Sequence, residues 1–189
     1  MRIRTAKQND TRQLATLITE SFRDIAERFG LTPENAPTHP SNCNEEKVRA
    51  DLGKGVTYYI AEADNQVVGC VALEPGKDNT WYLERLAVLP SFRRRGIGQA
   101  LVGHALTAAY ERGAQEVSIG IIAKHTELRS WYETLGFVLT GTKMFEHLPF
   151  EVAFLVHRRS GGPGLPSRRH GSTPAGKKLT QRRQDAKQG

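Results

Sequence analysis

The stretch Arg93-Arg94-Arg95-Gly96-Ile97-Gly98 sets three guanidinium groups directly before two glycines separated by one residue. An apolar run precedes it and a helix-forming run follows, so it falls where a strand turns into a helix. A helix start leaves backbone N–H groups unpaired and carries partial positive charge, which suits a phosphate. Glycine freely takes the positive φ values that aim successive N–H groups at one point, and it lets a ligand approach the main chain closely. The alternative is a tight turn edged by solvated arginines. A dinucleotide site of the Rossmann type would need GxGxxG, and the run from Gly96 to Leu101 lacks the third glycine; the Walker spacing is absent as well.

Further residues able to do chemistry lie on either side. Glu84 is the sole acid in the strand-like run "TWYLERLAVL", residues 80 to 89, and Tyr132 sits in the helix-like run "TELRSWYETLG", residues 126 to 136. Pro37 and Pro40 flank Thr38 and His39 in a loop that continues with Ser41, Asn42 and Cys43. The histidines are scattered and the two cysteines, Cys43 and Cys70, form no zinc motif, so no metal is expected.

The elements that must position these residues are read from periodicity. "MRIRTA" alternates as a short strand, and residues 9 to 30 carry Leu14, Leu17, Ile18, Ser21, Phe22, Ile25 and Phe29 at helical spacing, with Asp10 or Thr11 as cap and Gly30 as stop. A second, short helix covers residues 45 to 55. Strands are predicted over 56 to 63, 66 to 74 and 80 to 89, the first two joined by Asp64-Asn65 and the next pair by residues 75 to 79, both hairpin chemistry, which makes an antiparallel meander. A packed helix over 97 to 113, a buried strand over 116 to 123, the helix over 126 to 136, a strand over 137 to 145 and a closing strand over 150 to 158 complete the order βααβββαβαββ. Strand, helix and strand between residues 80 and 122 imply one parallel crossover in an otherwise largely antiparallel sheet.

The net charge of +7 points toward a polyanion until its distribution is followed. Residues 158 to 189 hold nine Lys or Arg against one acid, which leaves residues 1 to 157 at −1. That segment is rich in Gly, Pro, Ser and basic residues and poor in anything that could be buried, so it reads as a disordered basic tail. It is either a plain solvated extension or a weak, salt-sensitive contact for RNA or another polyanion. No apolar run reaches the roughly 20 residues that span a bilayer, and the N-terminus lacks a signal-peptide core. With two cysteines and no disulfide framework, a cytoplasmic protein without membrane contact is expected.

Two motifs in register across this order carry a resemblance. "LERLAVLPSFRRRGIGQALV" followed by "HTELRSWYETLGF" resembles the GNAT superfamily of N-acyltransferases: Arg93, Gly96 and Gly98 match its Arg-x-x-Gly-x-Gly signature, and Tyr132, Leu135, Gly136 and Phe137 match its second element. The resemblance spans residues 1 to 157 and implies an α/β fold of the α+β kind, a mixed, mostly antiparallel central sheet of about seven strands with about four flanking helices. It implies acetyl-CoA as acyl donor and a primary amine, on a small molecule or a peptide, as acceptor, with direct transfer in a ternary complex and a monomer or homodimer. A non-catalytic acyl-CoA-sensing or RNA-associated module of the same fold is the alternative.

By the same resemblance, the diphosphate would rest on the amides of Arg93, Arg94, Arg95, Gly96, Ile97 and Gly98, and the pantetheine arm on the main chain of Leu86, Ala87 and Val88, paired as an added strand would be. His125 stands where the family often has an asparagine that holds that arm. Tyr132 would protonate the departing sulfur or line the pantetheine tunnel, and the Val88 amide would donate to the thioester carbonyl. Glu84 would serve as the base through water or pair with Arg85 or a lysine at the sheet edge. His39 is a competing base, an acceptor-binding residue or a loop histidine, and Asn42 lies beside it as a second acceptor-binding residue.

Overall fold

The computed structural model describes residues 1 to 159. Its strands are β1 (Arg2–Thr5), β2 (Thr57–Ala63), β3 (Gln66–Pro75), β4 (Thr80–Val88), β5 (Glu116–Ile122), β6 (Val138–Met144) and β7 (Glu151–Arg158). The α-helices are α1 (Thr11–Phe29), α2 (Glu45–Gly53), α3 (Ile97–Glu111) and α4 (Thr126–Thr134). The expected basic tail lies, from residue 160 onward, outside the described residues. Among the described residues, no helix is long and apolar enough to cross a membrane.

The strands form one sheet in the order β1-β2-β3-β4-β5-β7-β6, antiparallel except between β4 and β5. Both faces are covered, which is why β2 reads as the continuous apolar run Tyr58-Tyr59-Ile60-Ala61 rather than as an alternation. Tyr58 and Ile60 join the cluster beneath α1 and α2 with Leu14, Ile18 and Val48, while Tyr59 and Ala61 join the cluster beneath α3 with Leu101, Val102 and Ala105. The turn residues behave as their types require. Asp64 and Asn65 both take positive φ (52° and 59°), the conformation a two-residue hairpin loop needs, and Gly30 ends α1 at φ 62° with Leu31 donating back to the Ala26 carbonyl at 2.8 Å.

Two features depart from the linear reading. Asp10 precedes α1 but does not cap it through its side chain; its carboxylate accepts from both terminal nitrogens of Arg4 (2.8 and 2.9 Å) and from the Lys7 amide (2.7 Å), fastening β1 to the turn before the helix. The last strand, β7, inserts between β5 and β6. Its Ala153–Val156 run is buried, whereas β6 exposes Val138, Leu139 and Met144, so the more apolar of the two takes the interior position.

The parallel pair is short. Register between β4 and β5 holds from Thr80 opposite Glu116 to Tyr82 opposite Ser118 and then ends, although both strands continue. The strands therefore separate beyond Tyr82. On its other side β4 keeps pairing with β3, but the register slips between Cys70 and Ala72, opposite Ala87 and Glu84, so β4 carries one extra residue at Arg85-Leu86. Arg85 accommodates that bulge at φ 50°, in the left-handed region that a non-glycine residue seldom occupies.

Candidate active site

The space left between the separating strands is a cavity of about 300 Å³. Its walls are Leu83–Leu86 of β4 and Ser118–Ile122 of β5, with His125, Leu128 and Tyr132 of the α4 region on one side and Phe22, Ile25 and His39 on the other. Glu84, Tyr132, His39 and His125, separated by up to 93 positions in the chain, thus face one enclosure.

At the end of β4 the chain makes a short 3-10 turn (Pro90–Phe92) and enters α3. Arg94 (φ 61°) and Gly96 (φ 76°) both adopt left-handed conformations there, so successive amides turn toward one point at the head of a 15-residue helix. The first N–H groups of that helix, from Ile97 and Gly98 onward, have no carbonyl upstream within the helix. Arg94, Arg95 and Gly96 are exposed, and the Arg95 guanidinium lies 5.0 Å over the Phe92 ring. The Arg93 amide is turned back to the Pro90 carbonyl, 3.3 Å away. The amides of Arg94–Gly98 with their cationic rim form a cradle of the kind that can hold an anion such as a phosphate. Gly69 of β3 lets the helix start sit so close: a Cβ there would stand 2.9 Å from the Ala87 carbonyl oxygen and 3.1 Å from Leu101.

Arg93 does not present its charge to the cradle. Its Nε donates to the Val88 carbonyl (3.2 Å), its terminal nitrogens donate to the Ser21 carbonyl (2.6 Å) and to the Asp24 carboxylate. That guanidinium holds the Asp24 carboxyl below the usual carboxylate range. It is a strut between the end of β4 and α1, a role that side-chain type alone does not reveal.

Strand parity sorts the main chain of β4. Leu89 donates to the Val68 carbonyl across the pair with β3, and Ala87 lies opposite Cys70, so the polar groups of Ala87 turn to β3 while those of Val88 turn to the cleft. Of the three residues expected to meet the pantetheine arm, Ala87 is therefore occupied by the sheet. Val88 offers its amide to the cleft, its carbonyl being held by Arg93.

Tyr132 is 4% exposed, its ring packed edge-on between Trp131 (4.8 Å between centroids) and Phe137 (5.3 Å). Burial pushes its phenol up, so it stays a proton donor throughout the neutral range. Trp131, which the sequence reading left out, links the two parts of the site: it lies against the position where a Gly98 Cβ would stand, 3.6 Å away, and against Tyr132. Arg85 is turned to the opposite face, where it binds the Asp51 carboxylate and the Tyr58 hydroxyl, which itself donates to Asp51 at 2.8 Å. Arg85 thus takes Asp51 as its ion-pair partner.

His39 caps the 3-10 turn Pro40–Asn42. Its Nδ1 accepts from the Ser41 amide (3.3 Å) and meets the Ser41 hydroxyl at 2.9 Å, which leaves the ring proton on Nε2. Burial lowers its pKa to about 4, so at neutral pH it is an uncharged donor with its basic nitrogen already used. His125 starts α4, its ring 5.6 Å from that of Phe29, and burial lowers its pKa as well. Asn42 is not brought into the cavity; its side-chain amide donates to the Ala36 carbonyl (3.0 Å) and it borders a separate, shallow depression beside Thr19 and Arg23.

Comparison with known proteins agrees with this geometry. The model of the acetyltransferase (GNAT) family matches residues 16–137. A Mycobacterium tuberculosis H37Rv protein named uncharacterized N-acetyltransferase Rv2669 is 32% identical over 85 residues, 45% of this chain and 54% of that protein. Human N-acetyltransferase 8 is 32% identical over 97 residues, 49% of this chain and 43% of its own length. The chain spans about half the length of these curated relatives. The crystal structure of PaiA N-acetyltransferase from Thermoplasma acidophilum, in complex with coenzyme A, superimposes with a TM-score of 0.68 over 84% of this chain and 100% of that one, at 19% identity, which speaks to the fold alone. With the family model covering the helix that precedes the cavity, the separated strands, the amide cradle and the helix of Tyr132, the chain belongs to the acetyltransferase (GNAT) family.

Proposed function

We propose that the protein transfers an acetyl group from acetyl-CoA to a primary amine, directly and within a ternary complex. The observation that carries this reading is the continuity of the Arg94–Gly98 cradle, through Trp131, with a cavity that holds both Tyr132 and Glu84. Coenzyme A bound there supplies the activated acyl group as a thioester.

The residues then divide the work. Amides of Arg94 to Gly98 hold the diphosphate, and the main chain of Leu86 aligns the arm between β4 and β5. The Val88 amide donates to the carbonyl oxygen as charge develops on it. Glu84 accepts the proton that the amine must lose, through water, as the C–N bond forms. The Tyr132 hydroxyl, protonated at neutral pH, donates its proton to sulfur as the C–S bond breaks, and the proton that Glu84 took from the amine returns through water to the phenolate. His39, neutral and with Nδ1 held by Ser41, contributes a donor for orienting the acceptor and no base.

The test is thiol release from acetyl-CoA with a panel of amines, alongside calorimetry with coenzyme A. Micromolar binding with amine-dependent thiol release is expected. Absence of affinity for coenzyme A would remove the basis of the proposal.

A further inference from the structure

Four phenylalanine rings from three separate elements line the cavity. Phe22 comes from α1, Phe145 and Phe150 from the connection between β6 and β7, and Phe154 from β7. That connection turns Phe145, Leu148 and Phe150 inward, each half-buried, while Glu146, His147 and Pro149 stay in solvent. The Phe145 and Phe154 rings lie 6.3 Å apart and edge-on. Half-buried aromatic faces around an enclosure gain from an apolar occupant that removes them from water.

Charge is scarce on the same walls. Among the described residues that line the cavity, Glu84 is the only carboxylate. The Arg85 guanidinium is spent on Asp51 and Tyr58. His39 and His125 are uncharged at neutral pH. An acceptor with several ammonium groups would bury all but one of them without a partner.

We propose that the acceptor is an arylalkylamine, a primary amine on a short chain whose aromatic ring packs among Phe22, Phe145, Phe150 and Phe154 while its nitrogen reaches Glu84. This inference rests on the acetyl-transfer reading above. Edge-to-face contact among rings at centroid distances of about 4.5 to 7 Å is the geometry that such walls favour.

The experiment compares 2-phenylethylamine, ethylamine, spermidine, an aminoglycoside and a tetrapeptide as acceptors at fixed acetyl-CoA, by thiol release with the full chain. A kcat/KM for 2-phenylethylamine at least about 10-fold above every other amine is expected, since the ring is what the pocket recognises. Phe150→Ala should lower that value about 10-fold to 100-fold, and Phe150→Leu by less, with coenzyme A affinity unchanged in calorimetry. If Phe150→Ala fails to fold, the comparison of 2-phenylethylamine with ethylamine on the unaltered protein decides the same question. Preference for spermidine, the aminoglycoside or the peptide would overturn the arylalkylamine inference and leave acetyl transfer standing. If no amine releases thiol although coenzyme A binds, titration of 2-phenylethylamine into the coenzyme-saturated protein decides: saturable binding keeps the pocket assignment and sinks transfer, and no binding sinks both.

Discussion

The Arg93 guanidinium binds the Asp24 carboxylate across 69 positions of chain, and with the Ser21 carbonyl it ties the entrance of the amide cradle to the middle of α1. The cradle is thereby braced from outside its own loop. Arg93→Met should lower stability by about 1 kcal/mol, little because both partners are partly exposed and the pair is screened. It should weaken coenzyme A binding by about 10-fold, because the cradle loses its brace; urea denaturation and calorimetry measure the two effects. A variant with wild-type coenzyme affinity would show that the strut is dispensable.

Removing one oxygen separates chemistry from packing at position 132. The Tyr132 ring is fixed by Trp131 and Phe137, contacts that phenylalanine retains. Tyr132→Phe should keep the melting temperature and coenzyme affinity near wild type while kcat falls on the order of 100-fold. An unchanged kcat would assign sulfur protonation to another group or to water.

Two glycines two residues apart should respond in opposite ways. Gly96 stands at φ 76°, where an added Cβ is strained whatever space surrounds it, so Gly96→Ala should destabilise by roughly 1 kcal/mol or more and disturb the cradle. Gly98 lies in the first turn of α3 with helical backbone, and its Cβ would meet Trp131 at an ordinary 3.6 Å. Gly98→Ala should therefore leave stability unchanged or raise it by up to about 1 kcal/mol. Thermal denaturation of the pair reads the contrast, and equal losses would contradict it.

His39 sets a pH dependence of known sign. Its folded pKa of about 4 lies below the ordinary value of 6.5, so the unfolded chain binds a proton that the folded protein refuses. The stability it contributes is complete above pH 6.5 and is lost as pH falls toward 4, on the order of 2 kcal/mol for a partly buried ring. His39→Gln should flatten that part of the stability profile. A slope that persists in the variant would have to come from elsewhere, with His125 the first alternative, since its pKa is lowered too.

The elements were legible because each obeys a local rule. Asp64-Asn65 demand a hairpin, Gly30 ends a helix, and the runs that hold "YYIA" and "CVAL" read as strands. Gly96 of the cradle is local as well, since a left-handed turn before a helix is written in residue type. What stayed hidden depends on partners distant in sequence. Nothing in "LERLAV" marks a bulge at Arg85, because no glycine or proline interrupts it; the bulge follows from register with β3. The diversion of Arg93 to Asp24 and the departure of Asn42 toward the Ala36 carbonyl likewise depend on where α1 and its following loop settle. The insertion of β7 beside β5 had a legible sign in the apolar run "VAFLV", whose burial on two sides the pairing order explains.

The three-residue junction from Thr80 to Tyr82 makes the sheet a pair of leaves joined at one corner, β1 to β4 on one side and β5, β7 and β6 on the other. An extended molecule seated in the notch would act as a keystone, bonding to edges that otherwise have no neighbour. The two leaves already share the core beneath α3, where Tyr59, Val71 and Leu83 meet Val117, Ile119 and Leu155, so the keystone should raise the temperature at which they unfold together.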